Sequence, residues 1–194
     1  MRTRLFAVLA SMAVLLSACG VNSIPRAEEE VKARWADVET QYQRRADLIP
    51  NLVRTVQGFA QQERAVLTEV TEARARASSI QVDPTNPQAV QQFAAAQGAL
   101  SQSLGRLLVT VERYPELRSN QNFMALQSQL EGTENRIAVS RRDYNQAVQA
   151  YNTRIRTFPD AIGAKIFYGA KPKVPFEAAA GAQEAPKVDF NTTG

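Results

Sequence analysis

The side chains of this sequence with the best prospect of chemistry are glutamates. Glu63 and Glu134 fall at predicted interior positions of a helical pattern, and Glu112 is a third candidate. Carboxylates brought together can bind a metal ion or act as a general acid and base. The 194 residues contain no histidine, which excludes histidine-based nucleophilic catalysis and histidine-ligated metal centres within them. A carboxylate-based metal-binding or enzymatic site is therefore one alternative that the sequence leaves open.

The accompanying arginines and amides favour a structural polar network over a reactive site. The polar residues predicted in or beside the core are Arg45, Glu63, Gln97, Glu134, Arg141, Asn145 and Asn152. Nearby arginines lower carboxylate pKa values rather than holding one near neutrality. A buried ion pair whose charges cancel adds little stability but can fix the register of helices. The two asparagines, seven residues apart, predict a repeated interhelical hydrogen bond, and we expect no catalytic residue, metal or cofactor.

The single cysteine, Cys19, offers a different kind of chemistry. Arg2 and Arg4 precede an apolar run over residues 5–16, which is typical of a secretory signal. The run ends in Leu16, Ser17, Ala18 and Cys19, which resembles the bacterial lipobox. That resemblance implies acylation of the Cys19 sulfur and cleavage before it. Residues 1–18 are then a signal peptide and residues 19–23 a lipidated linker.

An uncleaved signal-anchor helix is the competing interpretation of this segment. Residues 5–21 provide 17 positions, which at about 1.5 Å per residue barely cross a hydrocarbon layer of ~30 Å. We favour the lipid anchor, and either form places the rest of the chain outside the cytoplasm, facing the periplasm or the exterior. Gly20 stands where aspartate would resemble an inner-membrane retention signal, so the outer membrane is favoured in a bacterium with two membranes.

The charge balance gives no indication of a nucleic-acid partner. The formal charge is +4, and loss of Arg2 and Arg4 with the signal leaves +2. The remaining arginines are interspersed with glutamates, which is typical of a mixed, solvated surface.

Four apolar seams with a period near 3.5 residues predict the fold. They cover residues 24–45, 52–77, 93–114 and 123–155, and the segment 83–87 (DPTNP) reads as a loop. Seams of this kind predict an all-α, four-helix bundle with coiled-coil-like packing over residues 24–168.

Three prolines punctuate the helices. Pro50, Pro115 and Pro159 each suit a first helical position, so the preceding Ile49, Tyr114 and Phe158 are expected to end helices and cap the core. At Pro50 a kinked continuous helix remains an alternative to a reversal.

The Gly-, Ala- and Pro-rich residues 169–194 are predicted to form a largely disordered tail. The apolar residues before and within it that could dock a short segment on the bundle are Ile162, Ile166, Phe167, Tyr168 and Phe176.

Two long blocks of the sequence carry a family resemblance. RRADLIPNLVRTVQGFAQQE, followed by EARARA, and then the block beginning VERYPELRSNQNF, resemble the LemA family of bacterial envelope proteins. The resemblance covers roughly residues 31–167. It implies a membrane-tethered, antiparallel helical bundle facing away from the cytoplasm, and it implies no catalytic residues. Many relatives resemble single-pass proteins without a lipobox, so the lipobox-like residues 16–19 depart from the pattern of those relatives.

These features lead to three functional hypotheses. The leading one is a non-enzymatic envelope lipoprotein whose bundle acts as a scaffold for unknown envelope partners. The second is the carboxylate-based metal or enzymatic site of Glu63, Glu112 and Glu134. The third is a module whose aromatic residues Phe167, Tyr168 and Phe176 bind a bilayer or a peptide.

Overall fold

The structure, a computed structural model, describes residues 22–177, and the predicted signal peptide, the lipobox and residues 178–194 lie outside that part. Its elements are α1 (Ser23–Phe59), α2 (Arg64–Ser79), α3 (Pro87–Val111), α4 (Pro115–Arg118), α5 (Gln121–Arg154), α6 (Asp160–Gly163) and a π-helical turn (Ala164–Tyr168). Residues 22–177 contain no β-strand. The all-α bundle predicted from the seams is confirmed.

The long helices α1 and α5 form the antiparallel frame of the molecule. With 37 and 34 residues, they extend for about 55 and 50 Å. Their direction is fixed where the start of α1 meets the end of α5: Arg154 Nη1 donates to the Ser23 carbonyl at 3.0 Å.

A shorter hairpin of α2 and α3 completes the bundle over half of this frame. The second half of α1 contributes Ile49, Leu52 and Val56 to a core shared with all three other long helices. The first half of α1 packs instead on α5 and the first turns of α3, around Trp35 and Phe93. The hairpin therefore covers one half of the frame fully and leaves part of the other half to be covered by another segment.

Pro50 does not end a helix, and the reversal predicted there is wrong. Helix α1 continues through Pro50 to Phe59, and the chain turns at residues 60–63. A proline lacks the amide hydrogen that would bond the carbonyl four residues earlier, here that of Ala46. Arg74 Nε of α2 donates to this carbonyl at 2.6 Å, so the lost intrahelical bond is replaced by a tertiary one.

The other two prolines stand only at short helices, and Pro159 is the residue before α6 rather than its predicted first residue. Pro115 starts α4, while the long α5 begins after Asn120, whose side chain accepts from the amides of Asn122 and Phe123 at 3.0 and 3.1 Å. Tyr114 packs partly buried against the core. The expectation that Phe158 caps the core is wrong, because its side chain is 82% exposed.

Residues 169–177 correct the prediction of a tail beginning at residue 169. They form an extended segment along α5, and Phe176 in it is 5% exposed. Residues 170–177 are called the C-terminal strap below. Among the described helices, none is both long and apolar enough to cross a membrane.

Candidate functional site

Arg45 is the centre of a polar network between the helices. It lies on the apolar face of α1 and is only 1% exposed, although its side chain is charged. Its Nη1 donates to Glu134 Oε1 of α5 at 2.6 Å and to Ser101 Oγ of α3 at 2.9 Å. Its Nη2 donates to the side-chain carbonyl of Gln97 and, at 3.4 Å, to the Gln97 backbone carbonyl. One guanidinium thus joins α1, α3 and α5.

The network reaches the fourth long helix through Gln97. The Gln97 side-chain amide donates to the Ala77 carbonyl of α2 at 3.5 Å, and Gln97 is 7% exposed. Glu134, in contrast, keeps 43% of its side chain exposed. Arg45 Nε is buried and has no hydrogen-bond partner among the described residues. A buried donor left unpaired costs about 1–3 kcal/mol, so the network is not fully satisfied.

The glutamates proposed for chemistry do not come together. Glu63, at the turn between α1 and α2, accepts from Arg113 Nη2 and from the Tyr114 hydroxyl, both at 2.9 Å. Glu112 pairs at the surface with Arg118 at 3.2 Å. Each of the three carboxylates therefore has its own arginine. Residues 22–177 contain no group of three acidic, histidine or cysteine side chains able to hold a metal ion, so the three glutamates do not form there the carboxylate site that the sequence left open as an alternative.

Asn145 and Asn152 do not bond another helix, and the predicted interhelical bond is wrong. Asn145 accepts from the Phe176 amide at 2.8 Å and donates to the Phe176 carbonyl at 2.9 Å. Asn152 makes the same pair of bonds to Lys173, at 2.9 and 2.7 Å. Each side-chain amide therefore holds both backbone groups of one residue in the C-terminal strap.

Arg141 also binds the strap, although it was predicted to belong to the polar network of the core. Its Nη2 donates to the Glu177 carbonyl at 3.0 Å, and its guanidinium lies over the Phe176 ring at 4.8 Å. The Tyr144 hydroxyl donates to the Val174 carbonyl at 2.9 Å. Three of the polar residues singled out on α5 thus bind an extended backbone.

The spacing of the two asparagines matches the geometry of an extended chain. Seven helical residues rise about 10.5 Å, and three residues of an extended strand span about 10 Å. Asn145 and Asn152 are seven apart, and their targets Phe176 and Lys173 are three apart. One face of α5 is therefore in register with the backbone of an antiparallel extended peptide.

Two side chains of the strap fix its position along this face. The Phe176 ring stacks on Trp35 at 5.5 Å between centroids and meets Tyr144 edge-on at 5.5 Å. Lys173 Nζ bonds Glu28 Oε1 of α1 at 2.7 Å. Aromatic stacking and an ion pair thus supplement the asparagine hydrogen bonds, which contact only the backbone of the strap.

A cavity of about 670 Å³ continues this surface between α3 and α5. The strap residues 174–177 line it together with α3, α5 and the α1 side chains Tyr42 and Arg45. Its wall on α3 includes the small residues Ala94, Ala95 and Gly98. Burial raises the pKa of the Tyr42 hydroxyl above its ordinary value. The cavity is lined by arginine side chains, a partly exposed carboxylate and small apolar residues, which suits an extended polypeptide.

The pattern in the sequence identified the polar residues of this surface but not their target. Arg74 and Lys173 were missed, because neither interrupts an apolar seam. The prolines at 172 and 175 were the available signal that residues 171–176 (KPKVPF) favour an extended conformation.

Comparison with known proteins places the chain among bacterial relatives. Magnetosome protein MamQ 2 of Paramagnetospirillum magneticum is 27% identical over 171 residues, which cover 78% of this chain and 62% of that protein. Protein LemA of Metamycoplasma hominis is 24% identical over 138 residues, covering 71% and 60%. Magnetosome protein MamQ of Magnetospirillum gryphiswaldense is 26% identical over 152 residues, covering 68% and 55%.

The chain spans less than two thirds of the length of each of these relatives. The sequence model of the LemA family matches residues 34–190, which include every long helix in whole or in part, the polar network and the strap. The chain belongs to the LemA family.

Proposed function

We propose that this chain is a membrane-anchored, non-enzymatic protein-interaction module of the bacterial envelope, held by an acylated Cys19. The lipobox-like residues 16–19 support the anchor, and Gly20 favours the outer membrane where the cell has two. Membership of the LemA family supports the bacterial setting.

The observation that carries the interaction role is the way α5 holds the strap. Asn145 and Asn152 bind both polar groups of an extended backbone, a mode that gives affinity with little dependence on sequence. The cavity between α3 and α5 extends the same face beyond Glu177. We expect an envelope partner to insert an extended segment there, with the 43% exposed Glu134 side chain and the lining residue Arg141 available to its polar groups.

Photo-crosslinking in intact cells tests this role. A photoreactive residue at Gln102, in the cavity lining, should give an adduct of discrete mass, because the partner segment passes within reach. The same residue at Gln129, exposed on α5 and away from that lining, should not. Equal labelling from both positions would contradict a binding site in the cavity.

Two glycines of α3 provide a matched pair of blocking variants. A Cβ atom added at Gly98 or at Gly105 meets nothing within 4 Å, so both variants should fold normally. Only Gly98 lines the cavity. Gly98→Phe should abolish the Gln102 adduct and Gly105→Phe should leave it, whereas an adduct that survives Gly98→Phe would place the partner elsewhere.

A further inference from the structure

Exposed apolar side chains are concentrated at one end of the molecule. Within residues 158–168, here called the anchor-side tip, the exposed fractions are Phe158 82%, Ile162 53%, Ile166 68%, Phe167 68% and Tyr168 41%. The other large apolar side chains exposed in the described chain are well separated along the sequence: Phe59, Val109, Met124 and Val139. A contiguous exposed apolar patch marks a site of protein or membrane interaction.

The tip lies beside the start of the described chain. Ser23 Oγ donates to Asp160 Oδ2 at 2.7 Å, and a Cβ atom added at Gly163 would lie 3.8 Å from Ile24 Cδ1. Cys19 precedes Ser23 by four residues, which is at most about 14 Å of chain. An acyl group on Cys19 therefore holds the tip within a short distance of the bilayer.

The charges around the tip suit an anionic lipid surface. Residues 154–171 contain four cationic side chains, at Arg154, Arg156, Lys165 and Lys171, and one acidic side chain, Asp160. That carboxylate is already engaged by Arg154 at 3.7 Å and by Ser23. Lysine and arginine stems can lie along an apolar surface while their charged ends reach phosphate groups.

We infer that the anchor-side tip inserts its apolar side chains into the interfacial layer of an anionic bilayer, as a second membrane contact beside the acylated Cys19. This inference rests on the proposed lipid anchor and also specifies how the helical bundle is oriented relative to the membrane. The α1–α5 frame stands away from the membrane, with the turn at residues 60–63 at its distal end.

Depth-dependent fluorescence quenching tests this contact. Cys19 is the only cysteine of the chain, so a cysteine at Ile166 is the only free thiol of the acylated protein. A polarity-sensitive dye is attached to Ile166→Cys in protein reconstituted into phosphatidylglycerol vesicles with brominated acyl chains. Val109→Cys is the matched control, because Val109 is 72% exposed, against 68% for Ile166, and lies near the distal end of α3.

The expected result is quenching at position 166 at least two-fold stronger than at 109. Equal quenching at both positions would overturn the inference. Energy transfer between dyes on neighbouring Ile166→Cys copies, without quenching by brominated lipid, would assign the tip to a second copy and also overturn it. Failure of the anchor itself is distinguishable, because an unacylated Cys19 would take a second dye that mass spectrometry detects.

Discussion

Arg45 shows why a charged residue can occupy a core position of this bundle. Its guanidinium meets the polar groups of three residues on two other helices. Glu134 remains partly solvated, so only one of the two opposite charges loses its water. The pair therefore avoids much of the desolvation penalty that makes a fully buried ion pair costly. Its main effect is to fix how α1, α3 and α5 slide relative to one another.

Removing either partner of this pair should have unequal effects on the free energy of unfolding. Arg45→Met leaves the buried Gln97 carbonyl without its donor and should destabilise by about 2–3 kcal/mol. Glu134→Gln keeps an acceptor in a half-exposed position and should cost less than about 1 kcal/mol. Denaturant unfolding of both variants measures the difference, and equal losses would contradict the asymmetry of burial.

The buried tyrosines predict a loss of stability at alkaline pH. Burial raises the pKa of Tyr144, Tyr42 and Tyr151 above the ordinary value of about 10. Above pH ~10 the unfolded chain therefore releases protons that the folded chain retains, so the free energy of unfolding falls as pH rises.

Absorbance of tyrosinate against pH measures this effect. The native protein should ionise these three side chains only above pH ~10, and the denatured protein should ionise them near it. A native titration indistinguishable from the denatured one would contradict the burial of these hydroxyls.

At the scale of elements, α1 depends on α2 to remain continuous through Pro50. The Ala46 carbonyl has lost its intrahelical donor and accepts from Arg74 instead. Arg74→Ala should therefore cost roughly 1–2 kcal/mol. In a Pro50→Ala background the new amide hydrogen can bond Ala46, so the same change should cost much less.

A double-mutant cycle on Pro50 and Arg74, measured by denaturant unfolding, gives the coupling energy. We expect at least about 0.5 kcal/mol. Additive effects would mean that Arg74 does not replace the bond that proline removes.

The C-terminal strap should detach without unfolding the bundle when its backbone contacts are removed. Asn145→Ala leaves the Phe176 amide and carbonyl unpaired, which weakens docking by about 1–3 kcal/mol. Trp35 is the only tryptophan, and the Phe176 ring covers it, so detachment should shift its emission to the red. Asn122→Ala, at an exposed position on the same helix, is the control. An unchanged spectrum in Asn145→Ala, with helix content preserved, would contradict this role of Asn145.

The apolar seams predicted most of the interior, because the burial of apolar side chains alone determines which face of each helix points inward. Val31, Val38, Leu107 and Tyr144 all lie at seam positions and are fully buried. The pattern could not show what covers a given face. Asn145 was predicted to lie beside the core, but its partner is the C-terminal strap, which is extended and therefore has no helical periodicity by which it could be predicted.

Pro50 illustrates a second limit of sequence reasoning. A proline predicts the loss of one hydrogen bond, but whether a helix continues depends on a donor from elsewhere in the fold. That donor, Arg74, is 28 residues away. Phe158 shows another limit, because its apolar side chain at the end of a helical pattern predicted burial but is exposed. It lies in the tip for which we infer a membrane contact.

At the scale of the whole molecule, the end of the α1–α5 frame that carries Ser23 is well separated from the opposite end. The tip and Ser23 lie together at one end of the α1–α5 frame, and the turn at residues 60–63 lies about 55 Å away at the other. The proposed partner cavity lies between α3 and α5, away from the tip, so membrane contact and partner binding use different surfaces.

Mass spectrometry of the mature amino terminus from native membranes tests the central claim, the lipid anchor, most directly. We predict a chain that begins at Cys19 and carries a diacylglyceryl group on its sulfur and an acyl group on its amine. Cys19→Ser should remove both modifications and release the chain from the lipoprotein pathway. A mature protein that retains residues 1–18 and a free Cys19 thiol would contradict the account.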